Sequence, residues 1–596
     1  MNPHPIYHRS SDNYCYPLNE DVMVVSIETG LDVDEVYLLH NDPFAYDRQN
    51  QGLFRGWPGI RVLLADKKRL KDKLWWTVTI SPPYKRLKYC FELHGGGECL
   101  YFFEDGLLTE AQMLVKDRSR QYFIFPWMNK MDIAVTPAWV AETVWYQIFP
   151  ERFCNGDKSL NHPDTKAWIP GKAVRNDELY GGDLPGIESK IGYLEELGVT
   201  GIYLTPINEA PSTHKYDTTD YLRIDPYFGT NDDFARLVKK AHEKNIRVMV
   251  DAVFNHSGPR FAPWLDVIEK GPQSEFFDWF MVDEWPFDFQ KGAARNGQFM
   301  SFAFVDNMPK LNTNHAAVCE YLINVCCEWV KEYDIDGIRI DVANEVSHFF
   351  LRKLRERVKA LKPDIYILGE VWHNAFPWLR GDEFDAVMNY PLAESIRDFW
   401  IDPSLTTYNL EATLNRCLTA YMRQMNDVSF NLLDSHDTKR LRTAAGSFDI
   451  FCQQLTILFL MPGSPCIYYG TEIAMMGESD PDCRRIMPWD EIESGVHDET
   501  IAFVRDLIRL RREETLFRSQ DFHFHEEQFS QQNLSSQNEN PRLVSFQKSD
   551  DSPSIIEVFI NCGEAVNIPE NNDKVLLARK YLDGTLATGG FLIRKR

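Results

Sequence analysis

The segment Asp336-Gly337-Ile338-Arg339-Ile340-Asp341 decides the fold of this chain. As a β-strand it alternates sides, so Arg339 and Asp341 share one face and Ile338 and Ile340 the other. A cation two residues from a carboxylate on the same face predicts an ionised, nucleophilic Asp341. Two further apolar runs carry acids in the same way: Ile365–Glu370, and Phe430–Leu433 followed by Asp434-Ser435-His436-Asp437. Acids closing three separate strands point to glycosidic chemistry.

Working outward, strand and helix patterns alternate from about residue 141. Strands are expected at Thr143–Phe149, Gly201–Thr205, Arg247–Val253, Gly337–Asp341, Ile365–Glu370, Ala386–Asn389, Ser429–Leu433 and Cys466–Tyr469. Amphipathic helices are expected between them, at Asp232–Lys244, His315–Tyr333, Phe349–Leu361, Leu410–Met425 and Phe448–Leu460. Eight such units predict a closed (β/α)₈ TIM barrel over 141–515. A doubly wound open sheet is the alternative, but no glycine-rich phosphate loop follows the first strand. The stretch between Asn255 and Asn314 is too long for a simple turn and reads as an excursion domain after strand 3, at about 256–312.

Short strand-like runs separated by turn formers predict an N-terminal β-sandwich over 1–125, with a linker at 126–140. A second, smaller β-sandwich is expected over 516–596, with a polar loop at Gln528–Asn540. The fold class is therefore multidomain α/β, and 596 residues exceed what one core can serve. The net charge of −24 argues against nucleic acid or an anionic membrane as partner. There is no signal-like start and no apolar run long enough to span a bilayer, and the 12 Cys lack a framework spacing. A reducing, cytoplasmic setting is expected, with Cys319, Cys326 and Cys327 as core thiols.

In a (β/α)₈ barrel the reacting side chains stand at the C-terminal ends of strands. There lie Asp251-Ala-Val-Phe-Asn-His256 after the third strand, Asp341 after the fourth, Glu370 after the fifth and His436-Asp437 after the seventh. A lone acid at a strand end is commonly a helix cap or an ion-pair partner; four converging clusters are not.

With these motifs in order, the chain resembles the α-amylase family of retaining glycoside hydrolases. Met308-Pro-Lys-Leu-Asn312, and Val342-Ala-Asn-Glu345 after the nucleophile, are similar to its cyclomaltodextrinase, neopullulanase and maltogenic amylase branch. The resemblance implies Asp341 as nucleophile, Glu370 as acid/base with a raised pKa, and Asp437 as the third acid, stabilising the distorted sugar. It implies that His256 and His436 hydrogen-bond sugar hydroxyls and that Tyr216 stacks under the sugar being cleaved. It also implies acceptor-side contacts from Glu345 and Trp372, and a donor-side grip from Asp480 and Arg484. Asn155, Asp157 and Asn161, followed by Gly181 and Asp183, resemble a structural Ca²⁺ loop, although Asn-Gly-Asp is also an ordinary turn.

The implied activity is cleavage of α-1,4 bonds in cyclodextrins, maltooligosaccharides and pullulan, mainly to maltose or panose, with transglycosylation. In relatives the N-terminal domain supports a homodimer that narrows the cleft. The alternatives are an oligo-α-1,6-glucosidase or other debranching α-glucosidase, and, in another class, a catalytically inactive barrel used for binding. One departure stands out: Asp434 occupies a position where this branch often has Gly, and an extra carboxylate there could alter a subsite.

Overall fold

The computed structural model describes residues 1–49, 53–54, 56–115, 121–525 and 542–596. The loop expected at Gln528–Asn540 lies outside them.

The barrel strands are β1 (Trp145–Ile148), β2 (Gly201–Leu204), β3 (Arg247–Ala252), β4 (Gly337–Ile340), β5 (Tyr366–Gly369), β6 (Ala386–Val387), β7 (Phe430–Asn431) and β8 (Ser464–Tyr468). Their order around the sheet is β6-β5-β4-β3-β2-β1-β8-β7, all parallel, and a bridge from Met388 to Phe430 joins the two ends. These strands are buried on both faces, which is why they read as near-continuous apolar runs. Ile202, Val248, Val250, Ile338, Ile340 and Ile367 pack outward against the helical ring. Trp145, Tyr203, Met249, Tyr366, Leu368 and Phe430 fill the interior.

The period-two alternation sets the inward column of β4 as Gly337, Arg339 and Asp341. Gly337 makes room for Met249 of β3, since a Cβ there would lie 3.0 Å from Met249 Cγ. Register pairs Asp251 with Arg339 and Arg339 with Leu368. Polar side chains thus begin in the upper barrel layer and continue into the mouth.

The helices follow their sequence patterns except one. The expected helix Leu410–Met425 is two: Thr407–Thr419, opened by a capping box from Thr406 and Asn409, and Arg423–Asn426. The break places buried Tyr421 and Met422 in the core. Between β3 and the helix Ala316–Tyr333, the excursion carries one helix, Ala262–Lys270, and isolated bridges such as His256 to Lys310.

The N-terminal domain packs a four-stranded sheet on a six-stranded one. It seats on the barrel through Asn13 to Thr419 O (2.8 Å) and Gln424 to Pro17 O (3.1 Å). The described C-terminal strands join in one six-stranded antiparallel sheet. Two buried basic side chains bind that domain to the barrel by donating to carbonyls: Lys548 to Leu460 O, and Arg511, from the last barrel helix, to Phe517 O (3.1 Å) as well as Phe459 O and Met461 O.

Candidate active site

Arg339, wholly buried in the barrel interior, organises the site. Its Nη1 lies 2.8 Å from Asp251 Oδ1 and 2.8 Å from Asp341 Oδ1, and its Nη2 lies 2.9 Å from Glu370 Oε2. One guanidinium therefore bridges the carboxylates ending three consecutive strands. Asp251 is further held by the hydroxyls of Tyr203 (2.6 Å) and Tyr216 (2.9 Å).

Glu370 is fixed from two more sides. The Trp372 indole N–H donates to Oε1 at 2.9 Å, and the Val342 backbone N–H donates to Oε2 at 3.0 Å. Trp372 is itself stacked on Tyr390, with ring centroids 3.7 Å apart. Val342 adopts φ 45° and ψ 45°, a left-handed conformation that a β-branched residue rarely takes. Backbone strain of this kind, of order 1–3 kcal/mol, collects at functional sites. Here it accompanies an amide aimed at the acid/base candidate.

Across the cleft, His436 stacks on Tyr216 with the ring planes 7° apart. Its Nδ1 accepts from the Gln147 amide at 2.7 Å, so Nε2 carries the proton and faces Tyr216 Oη (2.6 Å) and Asp437 Oδ2 (3.1 Å). Burial, with Arg484 and Arg339 nearby, drives the His436 pKa well below the usual value and keeps the ring neutral. Arg484 reaches Asp437 (3.3 Å), Asp480 (2.9 Å) and the Asn176 side chain (3.2 Å). His256 is buried against Phe302, donates to Tyr216 O at 3.1 Å, and is lowered by burial to about 3. Glu345 is paired with Lys310 at 3.1 Å. Asp341, Glu370, Asp437, Tyr216, His256, Glu345, Trp372, Asp480 and Arg484 line one cleft of about 500 Å³, whereas Arg339 and His436 are buried behind its lining.

The protonation pattern differs from the sequence expectation. Burial pushes the Asp341 carboxyl well above the usual range, with the charges of Glu370 and Asp251 adding to it against the pull of Arg339. Glu370 is buried as well, yet Arg339 and the N–H groups of Val342 and Trp372 hold it below the usual range. The reason is geometric: Arg339 reaches both carboxyls, whereas the strand pattern could show only its neighbour Asp341. The two groups influence each other's charge and titrate as a pair. Asp437 is raised to about 7, by burial first and then by the charge of Glu370.

Asp434 is not a subsite residue. It is buried, accepts from Leu441 N (2.9 Å) and Thr471 Oγ1 (2.9 Å), and so turns into the wall behind β7. The sequence reading missed Gln147, Tyr203, Asn176, Phe302 and Lys310. A polar Gln in the apolar strand Trp145–Ile148 was a usable signal for the first; Asn176, on a loop, had none.

Of the five residues read as a calcium loop, Asn155 and Asn161 meet at 2.9 Å. Gly181 lies against both, since a Cβ there would come within 2.6 Å of Asn155 Nδ2. Asp183 accepts from the N–H groups of Gly156 and Asp157, and Asp157 caps Ser159 at 2.9 Å. Asn155 Oδ1 is buried without a hydrogen-bond partner.

A (β/α)₈ barrel with two bridged carboxyls and a third acid at its mouth defines a glycoside hydrolase of the direct-displacement type. Residues 147–505 match the family described as alpha amylase, catalytic domain, and residues 1–129 match the alpha amylase N-terminal ig-like domain. The chain is 43% identical over 574 residues to a cyclomaltodextrinase of Geobacillus thermopakistaniensis, covering 96% of this chain and 93% of that one. It is 41% identical over 512 residues to an intracellular maltogenic amylase of Bacillus subtilis, covering 85% and 84%. A solved cyclomaltodextrinase structure superposes with a TM-score of 0.88 at 37% identity, covering all of both chains. The chain belongs to the α-amylase family of glycoside hydrolases.

Proposed function

We propose that this enzyme cleaves α-1,4 glucosidic bonds of cyclodextrins, maltooligosaccharides and pullulan by double displacement, mainly to maltose or panose, with transfer to sugar acceptors. Asp341 attacks the anomeric carbon, and Glu370 protonates the leaving oxygen and later deprotonates water. Asp437 bears on the ring as positive charge develops. Tyr216 lies beneath that ring, His256 and His436 bound the same subsite, and Asp480 with Arg484 grips the donor side. Glu345 and Trp372 stand on the acceptor side, beside the proton donor.

The observation that carries this reading is the Arg339 bridge. Retaining enzymes need carboxyls about 5–5.5 Å apart, and inverting ones about 6.5–9.5 Å with a water between. Two carboxyls each within 2.9 Å of one guanidinium accord with the shorter separation. A proton shared by the pair is also the inventory that double displacement starts from. Proton NMR of fresh digests of β-cyclodextrin, pullulan, starch and isomaltose tests the proposal. The α-anomer of maltose appearing first from β-cyclodextrin is expected; β-maltose first, or isomaltose as the preferred substrate, overturns it.

Three companion readings go with this one. Ca²⁺ would sit among Asn155, Asp157, Asn161, Gly181 and Asp183 and act structurally; the orphaned Asn155 oxygen supports it, and a melting temperature unmoved by chelator refutes it. A homodimer through the N-terminal domain follows the family layout, and light scattering decides it. A cytoplasmic setting accords with the intracellular relative and with the absence, among the described residues, of any helix long and apolar enough to cross a membrane.

A further inference from the structure

Away from the cleft, the N-terminal domain holds three metal-ligating side chains of different kinds on one face of a hairpin. The hairpin strands are Leu87–Gly95 and Glu98–Phe103, and register places His94 directly opposite Cys99. Glu92 is two residues before His94, so the strand alternation puts all three on the same face. His94 Nε2 lies 2.6 Å from Glu92 Oε1 and 3.9 Å from Cys99 Sγ, and the three donor atoms fall within 4.8 Å of one another.

We propose that Glu92, His94 and Cys99 bind one divalent late transition cation of the zinc class, with a water in the fourth position. Zinc bond lengths of about 2.0–2.1 Å to N and O and about 2.3 Å to S set tetrahedral donor atoms about 3.3–3.6 Å apart. The trio brackets that spacing, so sub-ångström side-chain shifts complete the site. A thiolate, an imidazole and one carboxylate suit zinc and not Ca²⁺ or Mg²⁺, which take oxygen sets.

Arg61 supplies the supporting layer. It donates to Glu92 Oε1 (2.8 Å) and Oε2 (3.3 Å), and its guanidinium sits 3.3 Å over the Tyr37 ring, which also packs edge-on against His94. With Oε1 turned to the cation, Arg61 keeps Oε2, as the outer partner of a ligating carboxylate does. Glu92 is 8% exposed, whereas the His94 side chain is 35% exposed and leaves solvent access for entry. The other account of the trio is an ion-pair network around Arg61 that binds no metal.

Titration of the chelator-treated full-length protein with Co²⁺, followed by Zn²⁺ competition, separates the two. The expected result is one equivalent bound per chain, with a near-ultraviolet thiolate-to-cobalt absorption that Zn²⁺ abolishes. Cys99→Ser is expected to remove the absorption and weaken Zn²⁺ binding at least ~100-fold, while glucan hydrolysis, which uses none of these residues, reports that the variant is folded. Arg61→Met is expected to weaken binding ~10-fold. His94→Gln gives a second route should Cys99→Ser fold poorly. An absorption that persists in both Cys99→Ser and His94→Gln, or none at millimolar Co²⁺, overturns the proposal.

Discussion

The two ends of β4 carry opposite electrostatics. At the N-terminal end, Asp336 is fully buried between two cations, Arg247 (2.8 Å) and Lys362 (3.0 Å), and accepts as well from His242 (2.7 Å) and the Val248 N–H (2.9 Å). At the C-terminal end, Asp251, Asp341 and Glu370 crowd around Arg339 alone. Cations outnumber the acid below, and acids outnumber the cation above. Burial acts alike at both ends, so the donors each acid has decide the direction, and Glu370, with Val342 and Trp372 besides Arg339, stays below the usual range. Asp336 is held well below the usual carboxylate range despite its burial, through His242, Lys362, Val248 N–H and Arg247. Asp341 is pushed well above it. An over-paired acid serves stability, and an under-paired cluster keeps a proton available for chemistry.

The sharpest way to break this contrast is Asp341→Asn. It is expected to lower kcat/KM on β-cyclodextrin by at least ~10³-fold, about 4 kcal/mol, with the circular dichroism spectrum unchanged. Retention of a tenth of the wild-type rate would end the assignment. Asp336→Ala should do the reverse: about 1–3 kcal/mol of stability lost in denaturant unfolding, because the Val248 N–H and the partly exposed Arg247, His242 and Lys362 lose a shared acceptor, and kcat within about twofold.

pH sharpens the comparison, because Asp336 and the third acid of the cleft, Asp437 after β7, respond with opposite sign. Asp336 is depressed in the folded state, so its stabilisation is present above the unfolded value and is lost as pH falls below about 4. Asp437, raised to about 7, contributes stability that is fully present below about pH 4 and is lost as pH climbs through 7. Urea unfolding at pH 5 and pH 8 should show wild type losing on the order of 1 kcal/mol more than Asp437→Asn across that interval, after screening of a carboxyl 30% exposed. Equal slopes in the two proteins would remove Asp437 from the account.

The smallest effect is expected at Trp372→Phe, which keeps a ring over Tyr390 but removes the N–H to Glu370 Oε1. A loss of about tenfold in kcat is expected, as for one hydrogen bond to a charged group. A steady-state assay showing only KM changed would make Trp372 a sugar contact alone.

Much of the barrel was legible because its strands are apolar runs, and those at β3, β4, β5 and β7 lead into acids at their C-terminal ends. Less was legible in the N-terminal domain. Ile60–Leu63 and Gly106–Thr109 were unread, and Asp66-Lys67-Lys68-Arg69 forms an edge strand with no apolar period to mark it. The amphipathic pattern runs through the break at Ala420–Met422, whose cause is burial of Tyr421 against distant residues. Asp434 was ambiguous for the same reason: its partners Leu441 and Thr471 lie in later segments, one of them beyond β8.

The amino-acid order alone determined which acids stand at the strand ends, because period-two alternation and apolar runs are local properties of the chain. Which of those acids share a cation was decided only by closure of the barrel. Register between parallel strands is set by packing across the whole ring, and it brought Glu370 as well as Asp341 to Arg339. That shared contact, and not only the neighbour two residues away, makes the two carboxyls titrate as a pair.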